Sequence, residues 1–106
     1  MSPERKRVFN LIGIAMKSRN VVSGEFSTEK AVKEGKATLV IVAEDASDNT
    51  KKMFTNMCSY YKVPISFFGK KYELGHSMGK EFRASLALLD KGLADAIDKQ
   101  LKMIQC

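Results

Sequence analysis

The sequence has few of the residues that build metal sites and covalent cross-links. Its 106 residues include one histidine, two cysteines and no tryptophan. A zinc site usually needs about four clustered ligands, so the isolated His76 predicts neither a metal nor a cofactor. Cys58 lies in an apolar helical stripe and Cys106 is the last residue. This pattern is typical of a buried free thiol and a tail thiol rather than of a disulfide framework.

Long apolar runs are also missing. The longest uncharged apolar run, Ala37 to Ala43, is far shorter than the ~18 residues of a membrane helix. The N-terminal segment begins with the charged residues Glu4 to Arg7 and has neither a continuous apolar core nor a small-residue cleavage pattern. It is therefore not a secretory signal, and we expect a cytoplasmic protein with no membrane partner.

Motifs of catalysis and nucleotide binding are absent as well. The sequence contains no phosphate-binding P-loop, no nucleophile elbow and no dinucleotide fingerprint. Glu44 and Asp45 follow a predicted strand, where α/β enzymes often place their sites. The same carboxylates also suit capping and favourable charge at the N-terminus of the next helix. We prefer the capping interpretation and predict no catalytic residues and no enzymatic activity.

Positive charge is what the sequence has in excess. Eighteen Lys and Arg residues against twelve Asp and Glu give a net charge of +6. This excess favours an acidic partner such as nucleic acid, although a net charge of about 2–8 also serves solubility in a small domain. A basic cluster, Arg5 to Arg7, lies on the first predicted helix. It is either a solvated face or a second RNA contact.

Helical and strand patterns alternate along the chain. Apolar residues at i, i+3 and i+4 predict helices, and short β-branched or apolar runs predict strands. The predicted helices are 4–17, 25–34, one that Ser47 caps and that runs to about 61, 71–78 and 90 onward, and the predicted strands are 21–22, 37–43, 63–68 and 84–89. The expected buried stripes are Val8, Leu11, Ile12, Ala15 and Met16 on the first helix and Met53, Phe54, Met57, Cys58 and Tyr61 on the third.

This alternation predicts the α/β class and one domain over residues 1–106, with a sheet between two layers of helices. The run 37–43 is apolar on both faces and predicts a central strand that is covered on both sides.

The middle of the chain resembles a known family. The matching pattern is Gly24-x5-Lys30-Ala31-Val32-x2-Gly35-Lys36-Ala37-x-Leu39-Val40-Ile41-x-Ala43-Glu44-Asp45, and it continues through Cys58, Val63-Pro64 and Leu74-Gly75-His76-Ser77-Met78-Gly79. It is similar to the signature of the kink-turn-binding ribosomal proteins L7Ae and L30e. The segments 45–52 and 90–92 look more like the bacterial YlxQ-type branch of that family. The resemblance implies a three-layer α/β/α sandwich on a four-stranded mixed sheet.

The resemblance also implies where RNA binds. In the family, RNA contacts the loop and first turn of the second helix and the loop before the last strand. The implied RNA-binding residues here are Ser23, Gly24, Phe26, Ser27, Lys30, Lys33, Lys51, Lys80, Phe82, Arg83 and Ser85. The hydroxyl of Thr28 is a further expected donor. Glycine and a helix N-terminus allow close approach of phosphate, and the basic side chains neutralise it.

The chain departs from the family at the base-reading positions. Kink-turn binders carry Asn-Glu where this chain has Phe26 and Ser27. Ser27 can donate and accept hydrogen bonds but has a shorter reach than Glu. Phe26 either stacks on an exposed base or packs the second helix onto the sheet, and the sequence leaves both interpretations open.

The favoured hypothesis is a monomeric protein that binds structured, kink-turn-like RNA and associates with ribosomes. A second hypothesis is a protein-interaction adaptor that kept the fold and lost RNA binding, which the change at Phe26 and Ser27 supports. A third is the substrate-binding part of an RNA-modifying enzyme. The single histidine and the missing cofactor motifs weigh against the third.

Overall fold

All nine predicted elements are present in the computed structural model, which describes the backbone of residues 1–105 and the side chains as far as Ile104. The helices are α1 (Pro3–Lys17), α2 (Glu25–Lys33), α3 (Asp48–Tyr61), α4 (Lys71–Ser77) and α5 (Lys91–Gln105). The strands are β1 (Val21–Ser23), β2 (Leu39–Val42), β3 (Ile65–Phe67) and β4 (Ser85–Leu88). Over this described range, no helix has the length and apolar character needed to cross a membrane.

The four strands form one mixed sheet in the order β1-β4-β2-β3. β2 pairs in parallel with β3 and antiparallel with β4, and β4 pairs antiparallel with β1. Every residue of β2 and β4 is buried, which confirms that the central strand is covered on both faces. Pro64 precedes β3, where its missing N–H costs no ladder bond, and its carbonyl accepts from the Val40 N–H (2.9 Å).

Helices cover the sheet in two layers. α1 packs against α4 and α5, while α2 packs against α3, β1 and β4. This arrangement confirms the predicted α/β/α sandwich. Its core includes Ile12 of α1, Phe54 of α3 and Ile97 of α5, none of which is exposed to solvent.

Local polar residues set where the helices begin. The Ser2 hydroxyl accepts from the Arg5 N–H (3.2 Å) at the start of α1, and the Ser47 hydroxyl accepts from the Thr50 N–H (3.1 Å) at the start of α3. The Asp90 carboxylate accepts from the Leu93 N–H (2.8 Å) at the start of α5. These caps explain why the predicted starts lie within one residue of the observed ones.

Two residues expected on buried stripes are exposed. Met16 and Tyr61 each lie in the last turn of their helix. At those ends the stripe no longer faces the sheet, and Tyr61 instead contacts the ring of Tyr60 edge-on, with 4.9 Å between centroids.

The cysteine prediction is confirmed for Cys58. Its thiol is buried, and that burial raises the pKa of Cys58 to about 11. The thiol is therefore neutral and poorly nucleophilic at neutral pH, as expected of a packing residue. Cys106 lies outside the described residues.

Replacing Phe54 with alanine tests the core. Because Phe54 is fully buried in α3 against the sheet, the change leaves a cavity and should lower the free energy of unfolding by about 3–5 kcal/mol. Urea denaturation followed by circular dichroism measures the loss. Tyr60→Ala, on the same helix but largely exposed, is the control and should stay within about 0.5 kcal/mol of the native chain.

Candidate nucleic-acid interface

One end of the sheet brings together two segments that are far apart in sequence. Ser23, the last residue of β1, pairs with Leu86, and Val42, the last residue of β2, pairs with Ser85. The β1–α2 turn (residues 23–27, hereafter the α2 turn) and the loop before β4 (residues 80–83, hereafter the 80–83 loop) therefore leave the sheet at the same rim. This confirms the predicted meeting of the two segments.

The α2 turn has the geometry of an anion site. Gly24 precedes α2 with φ +91°, a backbone conformation that favours glycine. No side chain caps the helix, so the first-turn N–H groups have neither an intrahelical partner nor a side-chain cap. The positive end of the helix dipole lies at the same place. Backbone and dipole together favour a phosphate oxygen here.

Side-chain and backbone hydrogen bonds hold the two segments together. The Arg83 Nε–H donates to Ser23 Oγ (3.0 Å), and the Arg83 Nη1–H donates to the carbonyl of Phe82 (2.7 Å). The Gly24 N–H donates to the carbonyl of Ser85 (2.9 Å). The guanidinium is thereby held at the junction between the turn and the loop.

Two hydroxyls expected to face RNA are instead buried beneath the turn. Ser85 and Thr28 have almost no exposed surface, and the Ser85 hydroxyl donates to Thr28 Oγ1 (3.3 Å). Neither side chain can reach a ligand on the surface. The predicted direct contact of Ser85 is therefore wrong, and so is that of Thr28, because each satisfies the other's buried hydrogen-bonding group. Their contribution is to position the turn against β4.

The two aromatic side chains of the interface point into solvent. Phe26 is 77% exposed and Phe82 is 63% exposed. The alternative in which Phe26 packs α2 onto the sheet is therefore wrong. Instead, Ala31 and Val32 of α2 are buried. Each phenylalanine leaves an apolar face open beside the linked turn and loop.

The basic residues differ in how freely their charge is available. Lys30 and Lys80 are exposed, and neither forms an ion pair among the described residues. Lys33 lies in the last turn of α2 and forms an ion pair with Glu29 (2.8 Å), which raises the pKa of Lys33. Lys51 is partly buried in the first turn of α3, the helix that packs beside α2. Lys33 is thus farther from Gly24 than Lys30 and is partly neutralised.

Carboxylates also lie at this rim. Glu25 is in the first turn of α2 and Glu81 is in the 80–83 loop, and both are exposed. Asp45 has a structural partner, because its Oδ1 accepts from the Lys71 N–H (2.8 Å). Asp45 therefore caps α4. The sequence pattern instead predicts a cap on α3, the next helix along the chain. Among residues 1–105 no cluster of three His, Cys, Asp or Glu side chains is arranged to hold a metal.

Gly75 is a supporting residue that the sequence reasoning did not assign to the site. A Cβ on Gly75 would lie 2.5 Å from the carbonyl oxygen of Glu81 and 2.9 Å from the Phe82 nitrogen. The 80–83 loop therefore rests directly on the backbone of α4. The sequence does carry a signal for this contact, which is a glycine inside a predicted helix. Glycine there destabilises the helix by about 1 kcal/mol relative to alanine, so its presence indicates a packing requirement.

Comparison with known proteins agrees with this architecture. Residues 6–98 match the profile of the ribosomal protein L7Ae/L30e/S12e/Gadd45 family. The chain belongs to this family.

Three similar proteins illustrate the relationship. The chain is 44% identical over 89 residues to the RNA-binding protein YlxQ of Bacillus subtilis, covering 84% of this chain and 89% of that one. It is 35% identical over 85 residues to the large ribosomal subunit protein eL30 of Methanoregula boonei, covering 78% and 84%. A solved structure of a protein of unknown function from Bacillus halodurans C superposes with a TM-score of 0.87 at 32% identity, covering 90% and 96%. The predicted assignment to the YlxQ-type branch is confirmed.

Substituting Gly75 tests the support of the loop. Gly75→Ala should displace residues 80–83, because the new methyl group overlaps backbone atoms that cannot rotate away, and should destabilise the fold by about 1–3 kcal/mol. Amide chemical shifts of the loop and the melting temperature measure both effects. His76→Ala, at an exposed neighbouring position on α4, is the control. Unchanged loop shifts in the Gly75 variant would contradict this packing role.

Proposed function

We propose that this chain binds structured, kink-turn-like RNA at the rim formed by the α2 turn and the 80–83 loop. The observation that carries the proposal is the linkage of an uncapped helix N-terminus to a basic loop through Arg83 and Ser23 (3.0 Å). Such a junction presents N–H dipoles and cations to one polyanion. The B. subtilis relative, named as an RNA-binding protein, supports the same class of ligand.

Phosphate groups would be bound by backbone and basic side chains. The N–H groups after Gly24 bind one phosphate oxygen, and the hydroxyl of Ser27 adds a donor. Lys30, Lys80 and Arg83 neutralise neighbouring phosphates, with Lys51 and Lys33 contributing at longer range. These contacts set the position and orientation of the RNA but carry little sequence information.

Base recognition would rely on stacking more than on hydrogen bonds. Ser27 has a shorter reach than the Glu of kink-turn binders, whereas Phe26 and Phe82 offer exposed rings. Stacking of a base on an aromatic ring is tolerant of sequence. The protein should therefore favour RNA shapes that present unpaired bases over a particular sequence.

The proposal includes no chemical step. The family and relatives are named as ribosomal or RNA-binding proteins. We infer a binding role in the cytoplasm, as a monomer and in association with ribosomal RNA. Purification of ribosomes from cells that express the tagged chain tests the association.

The salt dependence of RNA affinity tests the electrostatic part. If about five phosphates are engaged, log Kd should change with log salt concentration with a slope of magnitude roughly 3.5–4.5, so binding weakens about 100- to 500-fold between 50 and 200 mM salt. Fluorescence anisotropy with a kink-turn hairpin measures the slope. A fully paired duplex of equal length is the control for shape and should bind more weakly. A flat salt response would contradict phosphate binding at the rim.

The paired and unpaired lysines of α2 allow an internal comparison. Lys30→Ala should reduce the salt slope by about one unit. Lys33→Ala should reduce it less, because Glu29 already neutralises part of the Lys33 charge. Equal effects of the two substitutions would contradict the proposal that Lys30 neutralises a phosphate of the bound RNA.

Phe26→Ala tests base stacking. Loss of one stacked base costs about 1–3 kcal/mol, which weakens binding roughly 5- to 150-fold. Stability should hardly change, because the ring is 77% exposed. Tyr60→Ala removes a ring that is 78% exposed at the C-terminal end of α3 and is the matched control. Titration with the same hairpin and a thermal melt separate the outcomes, and unchanged affinity would exclude stacking on Phe26.

A further inference from the structure

A concave surface lies between α1 and α4. It is a groove of about 600 Å³, lined mainly by apolar atoms of Phe9, Gly13 and Ile14 on α1 and of Tyr72 on α4. Ile14 is 51% exposed and Tyr72 is also largely exposed. None of the residues of the candidate RNA interface lines this groove. The groove therefore needs a separate explanation.

α1 is apolar on two faces. Val8, Ile12 and Ala15 are buried in the core and account for one of them. Phe9 and Gly13 lie on the other face: the ring of Phe9 packs partly against the buried Phe68, with 5.0 Å between centroids, and both residues also line the groove. Gly13 also lets α4 approach closely, since a Cβ there would lie 3.3 Å from the Ser77 carbonyl oxygen. The second face and α4 together form the walls of an open apolar channel.

Two lysines of α1 lie at opposite ends of this channel. Lys6 and Lys17 line the groove and are exposed. They are eleven positions apart on the helix, a span of about 16 Å. The carboxylate lining the groove, Glu73, is engaged elsewhere: it pairs with Arg5 Nη2 (3.5 Å) and accepts from the Lys70 N–H (2.9 Å). The charge left for a ligand is therefore positive.

The structure also resolves the role of part of the basic N-terminal cluster. Arg5 stacks on the ring of Phe68, with its guanidinium carbon 4.8 Å from the ring centroid, and pairs with Glu73. It thus holds α1 to α4 and is not free for a ligand. Lys6 and Arg7 remain exposed, and Lys6 is directed to the groove.

We propose that the groove binds an acidic, amphipathic helix of a partner protein, about three turns long. The apolar floor takes the apolar face of that helix, and Lys6 and Lys17 pair with carboxylates near its two ends. Helices recognised in this way place apolar anchors at i, i+3, i+4 and i+7 in a hydrophobic groove. A single RNA strand is the poorer fit, because strand-binding grooves have basic residues along the whole backbone path.

Selection of peptides tests the proposal without knowledge of the natural partner. A phage library of random 16-residue peptides is selected on the full chain and counter-selected on its Ile14→Glu variant. The peptides that bind only the native chain should carry apolar residues at helical spacing, flanked by Asp or Glu. Their Kd, measured by fluorescence anisotropy, should weaken about tenfold or more with Ile14→Glu.

Charge reversal tests the electrostatic complementarity. The double variant Lys6→Glu/Lys17→Glu should bind the selected peptides at least about tenfold more weakly. Versions of those peptides with lysine in place of the flanking acids should regain binding to the double variant and not to the native chain. Met103→Glu, at an exposed apolar position on α5 (56% exposed), is the matched control for Ile14→Glu and should leave peptide binding unchanged.

Any of three results of the peptide experiments would overturn the proposal: no peptide specific for the native groove, groove-specific peptides without enriched acids, or charge reversal without effect. RNA titrations with the same variants test the alternative that the groove binds RNA and not a protein. If Ile14→Glu and the double variant weaken binding of the kink-turn hairpin as strongly as Lys30→Ala does, the groove extends the RNA site and the protein-partner proposal fails. Because peptide binding is measured without RNA, its outcome does not depend on the function proposed for the rim.

Discussion

The antiparallel pairing of β1 with β4 is the constraint on which the candidate interface depends. It aligns the end of β1 with the start of β4, and the bond from the Gly24 N–H to the Ser85 carbonyl continues that ladder into the turn. The buried Ser85–Thr28 hydroxyl pair and the Arg83–Ser23 hydrogen bond then join the side chains of the two segments. A helix N-terminus and a basic loop, separated by more than fifty residues of chain, are thereby held in one geometry before any ligand arrives.

The charge of this rim is local rather than uniform. Glu25 and Glu81 lie among Lys30, Lys80 and Arg83, so net charge alone does not make the surface attractive to a polyanion. What distinguishes the rim is the direction of its donors: the free N–H groups of α2 and a restrained guanidinium. Preorganised donors lose little entropy on binding.

The fold was predictable because its signals are local. Capping residues, turn glycines and short apolar runs lie next to the elements they define, as Ser47 does for α3 and Gly35 (φ +74°) does after α2. The site was only partly predictable. The hydroxyls of Ser85 and Thr28 indicate polarity but not burial, and the partner that satisfies each of them is 57 residues away. Composition likewise could not show whether Phe26 faces the sheet or solvent, because that depends on the rotation of α2 against β1 and β4. The loop contact that explains Gly75 is also a tertiary feature.

The contact between Gly75 and the 80–83 loop fixes the backbone path of the loop without constraining the side chains of Glu81 and Phe82. Its geometric requirement involves the backbone of Glu81 and Phe82, not their side chains. The loop can therefore exchange its outward residues one at a time while its path stays the same, provided that position 75 carries no side chain. A single hydrogen atom in place of a methyl group at position 75 thus leaves the outward side chains of this loop open to change on one backbone path.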